Sequence, residues 1–177
     1  MAMERSIETR RLLLRPLRLE DAEAVFAWVG DPEVNRYMIY PLYTDPRRVE
    51  AWIASLDGDS GEFGFVLKET GMLIGSGSVA FRSEHQAYEL GYNLRRDCWG
   101  MGYATEASRA MIRWVYDTLG ARDFVAAHAV KNTASGRVIR KCGFQLAHGT
   151  QYAKQDGSAV FDAYFYTMHL DEPPRFD

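Results

Sequence analysis

The sequence lacks the features that mark several classes of protein. Its two cysteines, Cys98 and Cys142, show no CxxC spacing, which argues against a disulfide scaffold or a zinc site and suits a reducing compartment. No apolar run approaches the roughly 18 residues of a membrane span. The first residues show no apolar stretch ahead of a small-residue cleavage site. These absences favour a cytoplasmic protein with no membrane partner and no bound metal.

An excess of one charge is also missing, since 21 Lys and Arg face 24 Asp and Glu and leave a net charge of −3. A field that weak does not recruit nucleic acid. Only four of the cations are Lys and 17 are Arg. Coding bias is the default explanation, although Arg also binds phosphate through a planar fork of donors. The 177 residues, 47% of them hydrophobic, predict a single domain over 1–177 that buries its own core.

Hydrophobic periodicity predicts a mixed α/β protein. Strands are expected at 11–17, 63–68, 72–81, 88–95, 124–130, 144–152 and 160–170. Helices are expected after Leu19, after Asp45-Pro46, and over 103–119 and 134–141. Because four helices interrupt about seven strands that are joined mostly by hairpins, the expected fold is of the α+β kind. It has a mixed, mostly antiparallel central sheet and is neither doubly wound nor all-β.

The segment 88–107, YELGYNLRRDCWGMGYATEA, is the most informative part of the chain. A predicted strand runs into Trp99-Gly100-Met101-Gly102, and a helix begins at once. Amides at a helix N-terminus have no intrahelical partner and lie at the positive end of the helix dipole, while glycines let an anion approach closely. The segment therefore predicts a pyrophosphate cradle formed by the amides of about 98–104.

Three kinds of phosphate-binding site could use this segment. The P-loop string GxxxxGK[ST] is absent. The dinucleotide fingerprint GxGxxG fails at Thr105, and the segment follows several hairpin strands instead of opening a βαβ unit. A coenzyme A site remains, although a GxG alone is often only a helix entry turn. Because the motif alone leaves these alternatives open, its context has to decide between them.

Four motifs together resemble the GNAT superfamily of N-acetyltransferases, and within it the ribosomal-protein N-terminal acetyltransferase (RimJ/RimL) branch. The loop and helix start, 99–107, read WGMGYATEA, as that branch typically does. The opening strand contains Thr9, Arg11, Leu12, Leu14, Arg15, Pro16 and Leu17 of a TxRLxLRPL-like pattern. A Gly91-Tyr92 pair precedes the loop. A late NxxSxxVxxKxGF segment contains Asn132, Ser135, Val138, Lys141, Gly143 and Phe144. The motifs occur in the family's order and span nearly the whole chain.

The resemblance implies an acyl-CoA N-acyltransferase-like fold and transfer of an acetyl group from acetyl-CoA to a primary amine. The acceptor would be a peptide N-terminus or a small molecule, and a homodimer is compatible with the resemblance. In the family a splayed strand leaves backbone groups, here near Tyr92, Asn93 and Leu94, to pair with the pantetheine arm. The loop that would hold the diphosphate comprises Trp99, Gly100, Met101, Gly102, Tyr103 and Ala104. Asn132 would bind the cofactor arm. The alternative is that Asn132 is an ordinary turn residue ahead of a helix, where Asn is common.

Catalytic roles also follow from the resemblance. Ser135 would donate a proton to the leaving thiolate, although Ser is common at helix starts anyway. Glu89 would take the ammonium proton, directly or through water, unless it is an ordinary salt-bridged strand residue. The family builds its acceptor cleft around the first helix pair, where this chain has three aromatic residues: Tyr40, Tyr43 and Trp52. They would line that cleft, unless they are ordinary aromatic core residues.

Two positions depart from the family's pattern. Asp97 replaces the usual Gln or Arg of the loop and should point away from a diphosphate. The phosphates would then meet nearby cations, namely Arg95, Arg96, Arg137 and Lys141. Ile139 replaces a tyrosine that often protonates the thiolate, which makes Ser135 the candidate donor, with water or Tyr152 as substitutes. These departures favour a second hypothesis, a non-catalytic acyl-CoA-binding module. A third hypothesis, a nicotinamide-dependent oxidoreductase, has the Thr105 mismatch against it.

Overall fold

A computed structural model describes residues 5–56 and 61–176 of the chain. These residues form one eight-stranded sheet in the order β1-β2-β3-β4-β5-β6-β8-β7. The strands are β1 (Ile7–Glu8), β2 (Leu12–Arg15), β3 (Glu62–Leu67), β4 (Leu73–Arg82), β5 (Ala87–Leu94), β6 (Asp123–Ala129), β7 (Gln145–Ala153) and β8 (Val160–His169). The helices are α1 (Ala22–Val29), α2 (Pro32–Asn35), α3 (Pro46–Ser55), α4 (Tyr103–Leu119) and α5 (Thr133–Lys141). Within the described ranges only β5 and β6 pair in parallel, so the predicted mixed, mostly antiparallel fold is confirmed.

The longest predicted helix is confirmed to the residue. The apolar stripe of α4 includes Ala107, Met111 and Val115, which are all buried. Gly120 ends the helix in the left-handed region, with φ of 68°, where glycine carries no steric cost. Helix geometry at this point follows directly from local sequence.

Two short elements in the described residues were not predicted. Strand β1 has two residues and is too short to show any periodicity. Helix α2 has four residues and starts with a cap, since the side chain of Asp31 accepts a hydrogen bond from the Glu33 amide at 2.9 Å. The same Asp-Pro signal at Asp45-Pro46 did predict α3, so α2 was recognisable from its sequence.

The sheet separates two layers of helices. On one face α4 and α5 cover the main core, which contains Phe63 and Phe65 of β3. On the other face α1 and α3 cover a smaller core that contains Val66 and Leu73. None of the helices in the described ranges combines the length and apolarity needed to cross a membrane.

A β-bulge changes which residues of β4 reach the smaller layer. The β3–β4 register shifts so that Phe65 pairs with Gly75 while Val66 pairs with Leu73, which leaves Ile74 as the additional residue. A bulge re-aims the side chains that follow it. As a result Ser76 and Ser78 face the α1–α3 layer, where small polar residues replace the apolar core.

Candidate functional site

The parallel pair β5–β6 separates after two residues and leaves an opening in the sheet. Tyr88 pairs with Phe124 and Glu89 with Val125, and no later residue of β5 pairs with β6 in the described structure. Strand β5 instead continues beside β4 as far as Leu94. The strand separation that the resemblance implied is therefore present.

Backbone direction along β5 alternates between β4 and the opening. The Arg95 amide donates to the Ile74 carbonyl on β4 at 2.8 Å, so by alternation the backbone groups of Asn93 also face β4. Those of Tyr92 and Leu94 face the opening, where the Leu94 carbonyl accepts a hydrogen bond from the Trp99 indole at 3.0 Å. Asn93 thus reaches the site through its side chain, whereas Tyr92 presents its backbone as expected.

The glycine loop leads from the opening into α4. Gly100 and Gly102 have φ of 74° and 82°, and Gly102 caps the helix without any side-chain hydrogen bond. The space around Gly100 is open, since a Cβ added there would meet nothing within 4 Å. Trp99 and Met101 flank the glycines with exposed side chains. No side chain caps the amides at the start of α4, so this helix start suits an anion.

Arg11 braces this loop from the opening strand of the chain. Its Nη1 donates to the Met101 carbonyl at 2.9 Å and its Nε to the Glu106 carboxylate at 2.7 Å. Its guanidinium lies 4.3 Å from the centre of the Tyr103 ring. The helical pattern predicts Glu106 on a solvated face, and that prediction is wrong, because Glu106 also accepts from the Thr9 hydroxyl and the Arg11 amide. Burial opposes ionisation, but these donors hold the pKa of Glu106 below its usual range.

The cations predicted near the phosphates differ in their surroundings. Arg95 pairs with Asp97 at 2.9 Å, so the Asp97 carboxylate is taken up by an arginine, and Arg96 pairs with Asp31 at 3.2 Å. Arg137 is exposed on α5. Lys141 lies at the far end of α5, about 9 Å further along the helix than Ser135. There it lines a cavity with Arg109, Cys142 and the C-terminal segment.

Ser135 lies against β5 at the start of α5. The Ser135 amide donates to the Asn132 side chain at 3.3 Å, which makes Asn132 the cap of this helix. The Ser135 hydroxyl lies 2.9 Å from the Tyr92 hydroxyl. Burial raises the pKa of Tyr92 above its ordinary value, so the phenol keeps its proton at neutral pH. Tyr152 is elsewhere, because its hydroxyl donates to the Tyr37 carbonyl at 2.6 Å.

Other titratable side chains near the site are buried. His128 is a satisfied core histidine, with Nδ1 2.7 Å from the Ala129 carbonyl and Nε2 3.0 Å from the Tyr166 hydroxyl. Burial raises the pKa of Cys142 to about 12, and both cysteines are buried. A buried thiol with a raised pKa is a poor nucleophile.

A second polar group, here called the acceptor-face cluster, lies on the α1–α3 face of the sheet and consists of Tyr40, Glu62, Ser76, Ser78 and Asn93. The Asn93 amide donates to the Tyr40 hydroxyl at 3.2 Å, and the Ser76 hydroxyl donates to the Asn93 side-chain oxygen at 3.4 Å. Ser76 and Ser78, beside the Glu62 carboxylate, lower its pKa, but burial outweighs them and raises it to about 7.

Sequence reasoning missed Glu62, because its role depends on the β4 bulge that brings both serines to the same face. The aromatic residues near α1 and α3 pack against the smaller core, as the aromatic-core explanation predicts: Tyr40, Tyr43 and Trp52. Tyr40 also contacts Asn93 of the cluster.

Glu89 lies on the same face as this cluster but has its own partner. Its carboxylate is 2.6 Å from the Arg82 guanidinium, and its side chain is 38% exposed. It also occupies the last position at which β5 is still paired with β6. The structure therefore brings Glu89 to the closed end of the opening, within a surface ion pair.

Comparison with known proteins bears directly on this site. A sequence model described as "Acetyltransferase (GNAT) domain" matches residues 11–145. An uncharacterized N-acetyltransferase, p20 of Bacillus licheniformis, is 30% identical over 92% of this chain and 95% of its own. A GNAT-family acetyltransferase structure from Bacillus anthracis has a TM-score of 0.85 at 23% identity, covering 95% of this chain and 100% of the other. A putative ribosomal-protein-serine acetyltransferase from Vibrio cholerae has a TM-score of 0.80 at 17% identity, with coverages of 96% and 100%.

Proposed function

The chain belongs to the GNAT acetyltransferase family and is an acetyl-CoA-dependent N-acetyltransferase; on this premise we propose that a primary amine attacks the thioester directly in the opening between β5 and β6. The parting of the two strands after Glu89 and Val125, beside an uncapped helix start, is the observation that carries the proposal. A non-catalytic acyl-CoA-binding module is not favoured by the relatives. The single domain, the cytoplasmic location and the homodimer remain predictions.

The residues of this site suit coenzyme A. The open space at Gly100 and the uncapped amides from Gly102 to Ala104 would take the diphosphate. The backbone groups of Tyr92 and Leu94 on the open side of β5 would hold the pantetheine arm. Arg137 is an exposed cation on α5, and Lys141 would meet the cofactor only at its periphery. Acetyl-CoA, when bound, supplies an activated acetyl group in its thioester.

Proton donors of the chain itself would protonate the leaving thiolate. The hydroxyls of Ser135 and Tyr92 are 2.9 Å apart, so either can pass a proton to the other. Ser135 is partly buried at a helix start, where the helix dipole favours negative charge nearby. Together the pair can deliver one proton to the departing sulfur, a role that Ser135 alone was expected to fill.

Replacing Ser135 by Ala should lower kcat by about 10²-fold, the lower range for loss of general acid catalysis. The dissociation constant for coenzyme A should change less than about threefold. Thr133→Ala removes a hydroxyl from the same helix turn and should keep the wild-type rate. Stopped-flow measurement of thiol release at saturating acetyl-CoA checks this prediction. An unchanged kcat in Ser135→Ala would assign the proton to Tyr92 acting alone or to water, and Tyr92→Phe separates these two.

The proposed reaction is tested by thiol release from acetyl-CoA in the presence of an amine panel. Spermidine, kanamycin, a free amino acid and an unblocked tetrapeptide amide represent the acceptor classes. Release that depends on one of these amines, with acetylated product seen by mass spectrometry, supports direct transfer. Cofactor binding without turnover on every amine would instead favour the acyl-CoA-binding module.

A further inference from the structure

The acceptor-face cluster contains a carboxylate positioned to act on the acceptor. We infer that the carboxylate of Glu62 accepts the ammonium proton of the incoming amine. This inference rests on the direct attack proposed above and assigns to Glu62 the role for which the sequence suggested Glu89. It depends on three features of the described structure: the level of Glu62 in the sheet, its hydrogen-bonding neighbours and the pairing of the competing carboxylate.

Glu62 lies level with the point where the sheet opens. It pairs with Ser78 on β4, and Ser78 pairs with Gly91 on β5. Gly91 comes two residues after Glu89, the last β5 residue that is paired with β6. Since neighbouring strands are about 4.8 Å apart, the Glu62 and Gly91 backbones are separated by roughly 10 Å.

The surface between Glu62 and Gly91 is low and open. A Cβ added to Gly91 would meet nothing within 4 Å, and Ser78 is the residue that lies between them on β4. An amine above this floor can therefore face the opening and the Glu62 carboxylate at the same time, directly or through one water.

The cluster is built to recognise an ammonium group. A primary ammonium presents three donors and no acceptor, like the head of a lysine. The cluster offers acceptor oxygens on one face of the sheet. They belong to the Glu62 carboxylate, the hydroxyls of Ser76 and Ser78, the Asn93 side chain and the Tyr40 phenol. Burial holds the Glu62 pKa near 7, and a general base works best when its pKa is close to the working pH.

Charged groups around the cluster are mostly paired with one another. The groups from the neighbouring elements are Arg15 with Asp21, Arg82 with Glu89, the phenols of Tyr40 and Tyr43, Arg48 above the Tyr43 ring, and Lys154 against backbone carbonyls. In particular the Glu89 carboxylate already has Arg82 at 2.6 Å. A carboxylate in such a pair is a weaker base than one whose pKa is raised by burial.

The protons and electrons of the step balance as follows. The ammonium gives one proton to Glu62, which later releases it to solvent, and the neutral nitrogen attacks the thioester carbon. The C–N bond forms and the C–S bond breaks, with its electron pair leaving on sulfur. The nitrogen gives a second proton to solvent as the amide forms. The sulfur takes one proton from the Ser135–Tyr92 pair, and solvent then restores that proton to the pair. The products are the acetylated amine and the free thiol.

The test compares Glu62→Gln with Glu89→Gln in the pH dependence of kcat/KM, using the amine of the panel that the wild type acetylates best. At pH 7 we expect Glu62→Gln to lose about 10²-fold or more in kcat/KM and to lose the acidic limb near pH 7. Acetyl-CoA binding should stay within about twofold. If Glu62→Gln keeps both the acidic limb of the pH profile and the wild-type rate, the inference is overturned. It is also overturned if Glu89→Gln is the variant that loses this limb.

A second pair of variants separates proton transfer from a structural role. The Ser78 hydroxyl lowers the pKa of Glu62, so Ser78→Ala should move the acidic limb to higher pH. Ser83→Ala, a serine in the turn that follows β4, should leave the profile unmoved. A limb that does not respond to Ser78→Ala contradicts the assignment to Glu62.

A measurement without any acceptor completes the test. Because folding raises the Glu62 pKa, its contribution to stability is present at low pH and is lost as the pH rises through about 7. Glu62→Gln removes this loss, so its Tm relative to wild type should increase between pH 5 and pH 8, and a constant difference overturns the inference.

Wild-type protein that releases no thiol with any amine overturns the proposed function, whereas release with an unaltered Glu62→Gln profile overturns only the role of Glu62.

Discussion

At the scale of single residues, the Arg11–Glu106 pair connects the first long strand to the glycine loop. Arg11 contacts the loop carbonyl of Met101, the Glu106 carboxylate and the face of the Tyr103 ring at once. Planar Arg suits this arrangement better than Lys, because its fork serves two acceptors while its flat face stacks on a ring. Arg11 therefore has a specific structural role, which coding bias towards Arg does not explain.

Replacing Arg11 by Gln should lower the free energy of unfolding by about 1–2 kcal/mol, since it leaves a partly buried carboxylate with fewer donors. Coenzyme A affinity should fall at the same time, because the loop loses its brace. Arg47→Gln is the matched control, since the Arg47–Asp45 pair is exposed and such pairs contribute little. Urea unfolding and calorimetric titration measure both effects, and equal stability of the two variants would contradict the bracing role.

The same pair predicts an acid-dependent stability. Folding lowers the Glu106 pKa, so its contribution is present above its unfolded-state pKa and is lost as the pH falls through the lower folded-state value. The stability difference between wild type and Arg11→Gln should therefore shrink as the pH falls from 6 towards 3. Unfolding curves at several pH values check this, and a difference that is independent of pH would point to packing instead.

At the scale of elements, the start of α4 depends on glycine for two separate reasons. Gly102 must adopt a positive φ, and it must leave room beside Arg11, because an added Cβ would lie 3.3 Å from the guanidinium. The helix then begins with free amides directly next to the opening of the sheet. Backbone conformation and anion binding are coupled at this position.

Gly102→Ala should weaken coenzyme A binding at least tenfold and should cost about 1 kcal/mol in stability, the penalty for an L-residue in the left-handed region. Gly71→Ala is its control, because Gly71 has a similar φ of 73°, has open space around it and lies in the turn between β3 and β4. The control should show the stability loss without any change in affinity. Calorimetric titration decides, and equal affinities would remove Gly102 from the cofactor site.

Local patterns predicted the elements that are long enough to show a period. Helix α4 and the hairpin strands β3, β4 and β5 agree with prediction to within one or two residues, because apolar spacing and glycine stops act locally. Two-residue β1 and the bulge at Ile74 carry no comparable signal. The bulge matters more, since it determines which face receives Ser76 and Ser78.

At the scale of the whole molecule, segments that lie far apart in sequence meet beside the acceptor-face cluster. The Lys154 ammonium, in the turn between β7 and β8, donates to the carbonyls of Asn35 and Met38 at 2.8 Å each. The Gln155 amide donates to the Ile39 carbonyl at 2.7 Å. The β7–β8 turn thereby holds the segment after α2, which carries Tyr40 into the cluster.

Lys154→Met keeps the length and apolar stem of the side chain but removes its donors. It should lower the free energy of unfolding by about 1–3 kcal/mol, because the carbonyls lose a charged partner, and raise KM for the amine without changing coenzyme A affinity. Lys131→Met, at an exposed turn, is the control. Steady-state kinetics with the panel amine test this, and an unchanged KM would show that the tether does not shape the acceptor side.

The sequence by itself determined the family, the mixed sheet, the main helix and the glycine loop, because these depend on local periodicity, on glycine conformation and on motifs that are contiguous in the chain. Only the tertiary structure decided which charges are engaged. Arg95 and Arg96 are paired, Arg11 braces the loop, and Glu62 lies beside two serines at the level where the sheet opens. Such pairings depend on strand register and on a bulge, which bring together residues such as Arg11 and Glu106 that are 95 positions apart. Burial raises the pKa of Glu62, whereas hydrogen-bond donors lower that of Glu106.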